Sequence, residues 1–346
     1  MADMFQNGSS GSIALAMKTI PRSPSVIAIA AALAMGLGSA DLAAQQPARI
    51  ARIGFLHPGT APNASADVFR NALNDLGYVE GRDVTIEFRW AEGRMELLSP
   101  LAAELVALKV DVIVVGTTPA IKAVSEKTKT IPIVMTVVAD PVADGLVQSL
   151  GHPGGNVTGL TIISPDLSGK RIELLREAVP RLSRLAVFWN PANPTHAAAL
   201  RESQATARAL GLQTVLVPVQ NAADVNGAFA TIARERATAL FVLDDAILFV
   251  ERERIADLAL KNRLPLVSGI SGYADAGGLL TYGARQTDLY LRAAVFVDRI
   301  LKGARPANLP IEQPSSFELV LNLKTAKSIG LKIPDSVRWR ADRLIE

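Results

Sequence analysis

Val110-Asp-Val-Ile-Val-Val-Gly-Thr-Thr-Pro119 is the stretch on which the fold turns. Its residues are apolar almost without a break over 110–115, the length of one strand and too short for a stable helix. A run so uniformly apolar suits a strand of a parallel sheet that is covered on both faces. It stops at Gly116-Thr117-Thr118, and Pro119 follows at once. Threonine caps free helix N–H groups and proline is favoured in the first helical turn, so the strand is predicted to lead directly into a helix.

The same order recurs on both sides of this stretch. Apolar runs lie at 53–56, 131–138, 185–189 and 239–243. At 84–88, Val84, Ile86 and Phe88 alternate with Thr85 and Glu87, as in a half-exposed edge strand. Between the runs lie helical stripes. Phe69, Ala72, Leu73 and Leu76 fall on one face and are followed by Gly77; Leu97, Leu101, Leu105 and Leu108 form a second stripe, and Leu289, Ala293, Phe296 and Ile300 a later one. The series runs twice, with strands near 52–56, 84–88, 111–115 and 132–135, then near 184–189, 213–217, 239–243 and 265–267. This predicts an α/β protein of two doubly wound parallel-sheet lobes joined by a hinge. Gly151-His-Pro-Gly-Gly-Asn-Val-Thr-Gly-Leu160 is turn-rich and suits a crossover, and Pro306, Pro310 and Pro314 mark a second irregular stretch. The expected division is 49–160 with 283–304 as the first lobe, and 161–282 with 305–346 as the second.

Composition narrows the function. The 346 residues are 49% hydrophobic and 20% charged, with a net charge of +3, so two sizeable cores are expected. Lys and Arg are scattered, and no basic stripe points to nucleic acid. There is no cysteine, which excludes disulfides, a thiol nucleophile and a lipid-modified N-terminal Cys. His57, His152 and His196 show no metal-ligand spacing. Neither a cofactor nor a metal is expected. Lys18 and Arg22, an apolar stretch over 26–37 and small residues at Gly38, Ser39, Ala40, Ala43 and Ala44 follow the order of a cleavable secretory signal. Residues 1–44 are read as that signal with an N-terminal extension, cleaved between 41 and 47. The exported form is expected to be a soluble periplasmic protein.

In open α/β sheets, ligands sit beyond the carboxyl ends of the strands. Thr118-Pro119, Asp140-Pro141 and Asn193-Pro194 each place a capping residue before a proline just after an apolar run. Several helix N-termini are therefore expected around one cleft, where they favour an anionic group. The candidate ligand-binding residues are Gly59, Gly116, Thr117, Thr118, Asp140, Asn190, Asn193, Asp244, Ser268 and Tyr282. Asp244, or its neighbour Asp245, would accept an ammonium group. Asp244→Asn would then weaken binding and leave folding nearly intact. Each capping pair also has a purely structural reading, as have Asn190 as a turn former and His57 as a loop histidine. Trp189 and Tyr282 are either ring-stacking residues or core. There is no G-x-G-x-x-G after the first strand, no Walker A motif and no G-x-S-x-G elbow, so no enzyme is expected.

Two stretches carry a family resemblance. Ala139-Asp-Pro-Val-Ala-Asp-Gly-Leu-Val-Gln-Ser-Leu150 runs into Pro153-Gly-Gly-Asn-Val-Thr-Gly159, and Leu309-Pro-Ile-Glu-Gln-Pro-Ser-Ser-Phe-Glu-Leu-Val-Leu-Asn-Leu-Lys-Thr-Ala-Lys327 forms the tail. With Val110-Asp-Val-Ile-Val-Val115 and Phe188-Trp-Asn-Pro191, they resemble the ABC-transporter substrate-binding family that includes tryptophan- and tyrosine-binding proteins, of the type I periplasmic-binding-protein fold. The resemblance covers about 49–346. It implies export, an interlobe site for a small solute and three chain crossings between the lobes, with an aromatic amino acid favoured by the resemblance. The carboxylate-binding 116–118 loop and Asp244 themselves suit a zwitterion, and a monomer serving an ABC permease of the inner membrane is expected. A periplasmic ligand-sensing subunit for a membrane receptor is the alternative reading.

Overall fold

A computed structural model describes residues 49–162 and 167–346. The signal-peptide assignment falls on residues outside that range.

The apolar runs form the strands of two sheets. In the first lobe, β1 (Ala51–His57), β2 (Val84–Trp90), β3 (Val112–Val115), β4 (Ile133–Met135) and β5 (Val157–Gly159) form a parallel sheet in the order β2-β1-β3-β4-β5. All four residues of β3 are buried, while β2, at the sheet edge, is only half covered. In the second lobe, β6 (Arg184–Trp189), β7 (Gln213–Pro218), β8 (Ala239–Val242), β9 (Leu266–Ser268), β10 (Leu280–Ala284), β11 (Phe317–Asn322) and β12 (Arg343–Ile345) take the order β12-β11-β10-β9-β8-β6-β7. This sheet is parallel except where β11 runs antiparallel to β10.

Helices cover both faces of both sheets, which explains why the central strands lack polar alternation. In the first lobe these are α1 (Ala64–Asp75), α2 (Leu98–Ala107) and α3 (Thr118–Lys127). In the second they are α4 (Ser168–Ala178), α5 (His196–Ala209), α6 (Asp224–Arg234), α7 (Ala246–Val250), α8 (Arg252–Lys261) and α9 (Gly272–Asp275). The helix α10 (Gln286–Leu301) follows β10 of the second sheet but packs on α1 in the first lobe. Leu289, Tyr290, Ala293, Phe296 and Val297 place its apolar face in that core. Each large side chain so buried contributes about 2 kcal/mol, which commits the helix to the first lobe.

The chain passes between the lobes three times. It passes from Ile162, in the first core, to α4 in the second. It returns between β10 and α10, and leaves again between Glu312 and β11. Residues 305–312, expected with the second lobe, pack on the first. Ile311 is buried there and its N–H donates to the Leu150 carbonyl at 2.7 Å; the Glu312 N–H donates to the Gly159 carbonyl at 2.9 Å. This proline-punctuated segment has no hydrophobic period, so only its tertiary contacts reveal its lobe. β5 likewise lies in the stretch read as a crossover. A side chain at Gly159 would lie 2.2 Å from the Met135 carbonyl oxygen, so glycine lets β5 join β4 in a turn-rich segment.

Candidate ligand-binding site

The carboxyl ends of both parallel sheets meet at the interlobe cleft, as the topology requires. Deep in the cleft is a cavity of about 10 Å3, lined by Val137 and Ile162 of the first lobe, Arg171, Asp244, Gly269 and Ile270 of the second, and Ala284 and Gln286 at a crossing. That volume is the room of about one water.

Its polar centre is an ion pair. Arg171, on the first turn of α4, is 1% exposed, and its Nη2 lies 3.0 Å from Asp244 Oδ2. Its Nε donates to the Tyr282 carbonyl at 2.8 Å, and Asp244 Oδ1 accepts from the Gly269 N–H at 3.0 Å. Gly269 makes room for the pair: a Cβ there would sit 2.1 Å from Arg171 Nη2 and 2.3 Å from Asp244 Oδ2. Asp244 therefore lines the cleft cavity, buried and engaged by an arginine that the sequence reading did not single out. The signal was present. Arg171, Leu175 and Ala178 lie on one helical face, and a charge among apolar residues there calls for a buried partner.

Asp245 has a structural task. It caps α7 by accepting from the N–H groups of Ile247 (2.8 Å) and Leu248 (3.2 Å). Its other oxygen accepts from the side-chain amides of Asn190 (3.2 Å) and Asn193 (3.0 Å). Asn190 Oδ1 accepts from Ala192 N–H, and Asn193 Oδ1 from Thr195 N–H, so both asparagines shape the loop after β6. His196 seals it from below. Its Nδ1 accepts from Asn190 N–H at 2.8 Å, which places the proton on Nε2, 3.2 Å from the Asp244 carbonyl oxygen. Burial lowers its pKa, and the nearby carboxylates oppose that shift only in part.

On the first lobe, Gly116 is packed against the Thr136 and Tyr290 hydroxyls; an added Cβ would lie 3.1 and 3.2 Å from them. Thr117 has φ 72° and ψ 141°, a conformation that costs a β-branched residue roughly 1–3 kcal/mol. Its N–H donates to the Val137 carbonyl at 3.2 Å, while its buried Oγ1 has no protein partner among the described residues. Thr117 thus occupies the cap position of α3, and Pro119 lies in the first turn. Thr118 Oγ1 donates to Asp144 at 2.8 Å. The Asp144 side chain is 1% exposed, with Lys122 at 3.8 Å; burial pushes its carboxyl above the ordinary range, and the Thr118 bond opposes this.

The remaining candidates are spread around this centre. Asp140 accepts from the N–H groups of Val142 and Ala143, so Asp140-Pro141 opens a turn instead of the expected helix. At Asn193-Pro194 the helix α5 starts later, after Thr195. Gly59 donates its N–H to His57 Nδ1 at 2.9 Å in the loop after β1. Ser268 is fully buried at the end of β9. Tyr282 offers its carbonyl to the site, while its ring packs with Phe317 and the second-lobe core, as does Trp189. Among the described residues, no group of acidic or histidine side chains could hold a metal ion.

Two α/β lobes, between which the chain passes three times, with the strand ends of both facing one cleft, define the type I periplasmic-binding-protein fold. The chain belongs to the family of ABC transporter substrate binding proteins, whose model matches residues 55–345. It is 28% identical over 265 residues to the tyrosine-binding protein of Clostridioides difficile (strain R20291), covering 76% of each chain. Among solved structures it is similar to a conserved domain protein from Vibrio cholerae (28% identity, TM-score 0.78). It is also similar to an ABC domain in complex with L-Trp from Streptococcus pneumonia (26% identity, TM-score 0.77). Each match covers 86% of this chain and all of the other. Proteins of this family bind the substrates of ABC transporters.

Proposed function

We propose that this protein captures an amino acid, with an aromatic side chain, between its lobes and delivers it to an ABC importer of the inner membrane. The carrying observation is the arrangement of charge and donors across the cleft. The second lobe presents the buried Arg171–Asp244 pair; the first presents the α3 N-terminus with the Thr117 hydroxyl, which has no partner among the described residues. A helix N-terminus and a free hydroxyl suit a carboxylate, and the Asp244 side of the pair suits an ammonium. A zwitterion satisfies both. The aromatic preference is supported by the tyrosine and L-Trp that the relatives' names record.

Isothermal calorimetry of the purified protein against the twenty amino acids tests this reading. The expected result is saturable binding of one equivalent of an aromatic amino acid. Failure of every amino acid to bind would overturn it. The signal-like order of residues 18–44 supports export to the periplasm without lipid attachment. N-terminal sequencing of the exported protein should give a start between 41 and 47, and an uncleaved chain would contradict it.

A further inference from the structure

Of the polar side chains that line the cleft cavity, Arg171 and Asp244 are engaged with each other, and Asp244 also holds the Gly269 N–H. The remaining one is Gln286. It is half-buried and makes no side-chain hydrogen bond with any described residue. Its amide carries N–H donors and one acceptor oxygen. The rest of the lining is the backbone at Gly269 and the apolar side chains of Val137, Ile162, Ile270 and Ala284.

Gln286 is the first residue of α10. That helix follows β10 of the second sheet but is anchored in the first-lobe core, so Gln286 stands where the crossing enters the first lobe. Two side-chain contacts fasten this end of α10 to the third crossing. Asp288 accepts from the Ser316 hydroxyl, and Arg292, one turn further on, donates twice to Glu312. On the other side, β10 and β11 are register partners at Ala284 and Phe317. The backbone of Gln286 is therefore held from both directions, which limits where its side chain can reach. Asp288 also lies in the first turn of α10 and offsets the positive end of the helix dipole, so this place is not reserved for an anion.

The volume sets what can enter. About 10 Å3 is the room of one water; an ammonium group is of that size and a ring is not. An ammonium brings three donors. Asp244 supplies the counter-charge, but both of its oxygens already accept bonds, so the other N–H groups call for a further acceptor. Arg171 offers only donors. The amide oxygen of Gln286 is the acceptor that remains among the side chains lining the cavity.

We propose that Gln286 is a specificity-determining residue of this site, its amide oxygen accepting from the ammonium group of the bound solute. The inference rests on the reading of the cleft as an amino-acid site. The ammonium then bridges Asp244 of the second lobe and Gln286 at the base of a first-lobe helix, so the contact that selects an amine also holds the lobes together.

The test is calorimetry on the wild type, Gln286→Leu and Gln286→Glu. The probes are tryptophan, tyrosine and phenylalanine, each beside the acid that lacks only its amine. Leucine removes the acceptor; glutamate keeps an acceptor and loses the amide donors. Gln286→Leu is expected to bind the amino acids at least tenfold more weakly than the wild type, with less than a threefold change for the deaminated acids. Gln286→Glu is expected to hold the amino acids within threefold of the wild type, a comparison that needs no measurable binding of the deaminated acids. Unchanged amino-acid affinity in Gln286→Leu, or a loss shared equally by the deaminated acids, would overturn the inference and leave the amino-acid reading standing. So would a Gln286→Glu variant as weak as Gln286→Leu, because the amide would then serve as a donor. A wild type that binds none of the amino acids would overturn both.

Discussion

Arg171 and Asp244 act as a unit, and the consequence of breaking it differs from what a carboxylate at a loop mouth would give. An exposed aspartate could be neutralised at little cost to the fold. Here Asp244 is 9% exposed, holds the Gly269 N–H and faces a guanidinium that has almost no access to water. Asp244→Asn removes the counter-charge that Arg171 has at 3.0 Å. The variant is expected to lose about 3 kcal/mol of folding stability, together with ligand affinity. Urea unfolding of the ligand-free protein checks this, and a variant as stable as the wild type would show that the pair is not a source of stability. Thr117 carries a different kind of constraint. Its backbone occupies a conformation suited to glycine, yet its hydroxyl is directed to a buried position without a partner among the described residues. Strain of this kind persists only where the surroundings over-determine it, and it gathers at ligand sites.

At the scale of elements, β10 does the work of two. It is a strand of the second sheet, and through the Tyr282 carbonyl it also holds Arg171. Its Gly283 lies so close to β9 that a Cβ would fall 1.9 Å from the Gly269 carbonyl oxygen. The two glycines let β9 and β10 bring backbone right up to the ion pair. Much of the element order was legible in the chain. The apolar run at 110–115 and the Gly-Thr-Thr-Pro turn that ends it became β3 and α3, and the alternation at 84–88 became edge strand β2. β5 and β12 were not legible. β4 and β9 are as short but lie in apolar runs, whereas β5 (Val157–Gly159) sits in a turn-rich Gly/Pro stretch and β12 (Arg343–Ile345) begins on a charged residue; both exist because a neighbouring strand offers them hydrogen bonds. The helix expected at Asp140-Pro141 is a turn instead. Capping chemistry was read correctly, since Asp140 does accept two N–H groups, but an N-cap and an Asx turn share that local pattern.

At the scale of the whole molecule, the chain passes between the lobes three times, between Ile162 and α4, between β10 and α10 and between Glu312 and β11, while the rim at Gly93 meets Val250 of the other lobe. This geometry favours rotation about the crossings, with ligand stabilising the closed state through contacts to both lobes. The Arg292–Glu312 pair, two hydrogen bonds of 2.9 and 2.7 Å, fixes one crossing to α10 and gives the hinge a firm base on the first lobe. Small-angle scattering is expected to show a smaller radius of gyration with saturating ligand than without it. An unchanged radius, with binding confirmed by calorimetry, would count against closure.

The sequence by itself determined the class of fold, two α/β series of parallel strands, and the loops in which a ligand site had to lie. Both follow from local rules: hydrophobic period decides strand or helix, and parallel topology places the site beyond the strand ends. Tertiary structure alone decided which polar groups in those loops face the cleft and which are spent on one another. Arg171 meets the Tyr282 carbonyl across 111 residues of sequence, and the amides of Asn190 and Asn193 turn to Asp245 more than fifty residues on. A charge buried by such distant partners has no local signature beyond its place on an apolar face. The lobe to which 305–312 belongs was hidden for the same reason, because a proline-rich segment is positioned by the strand it lies against and not by any pattern of its own.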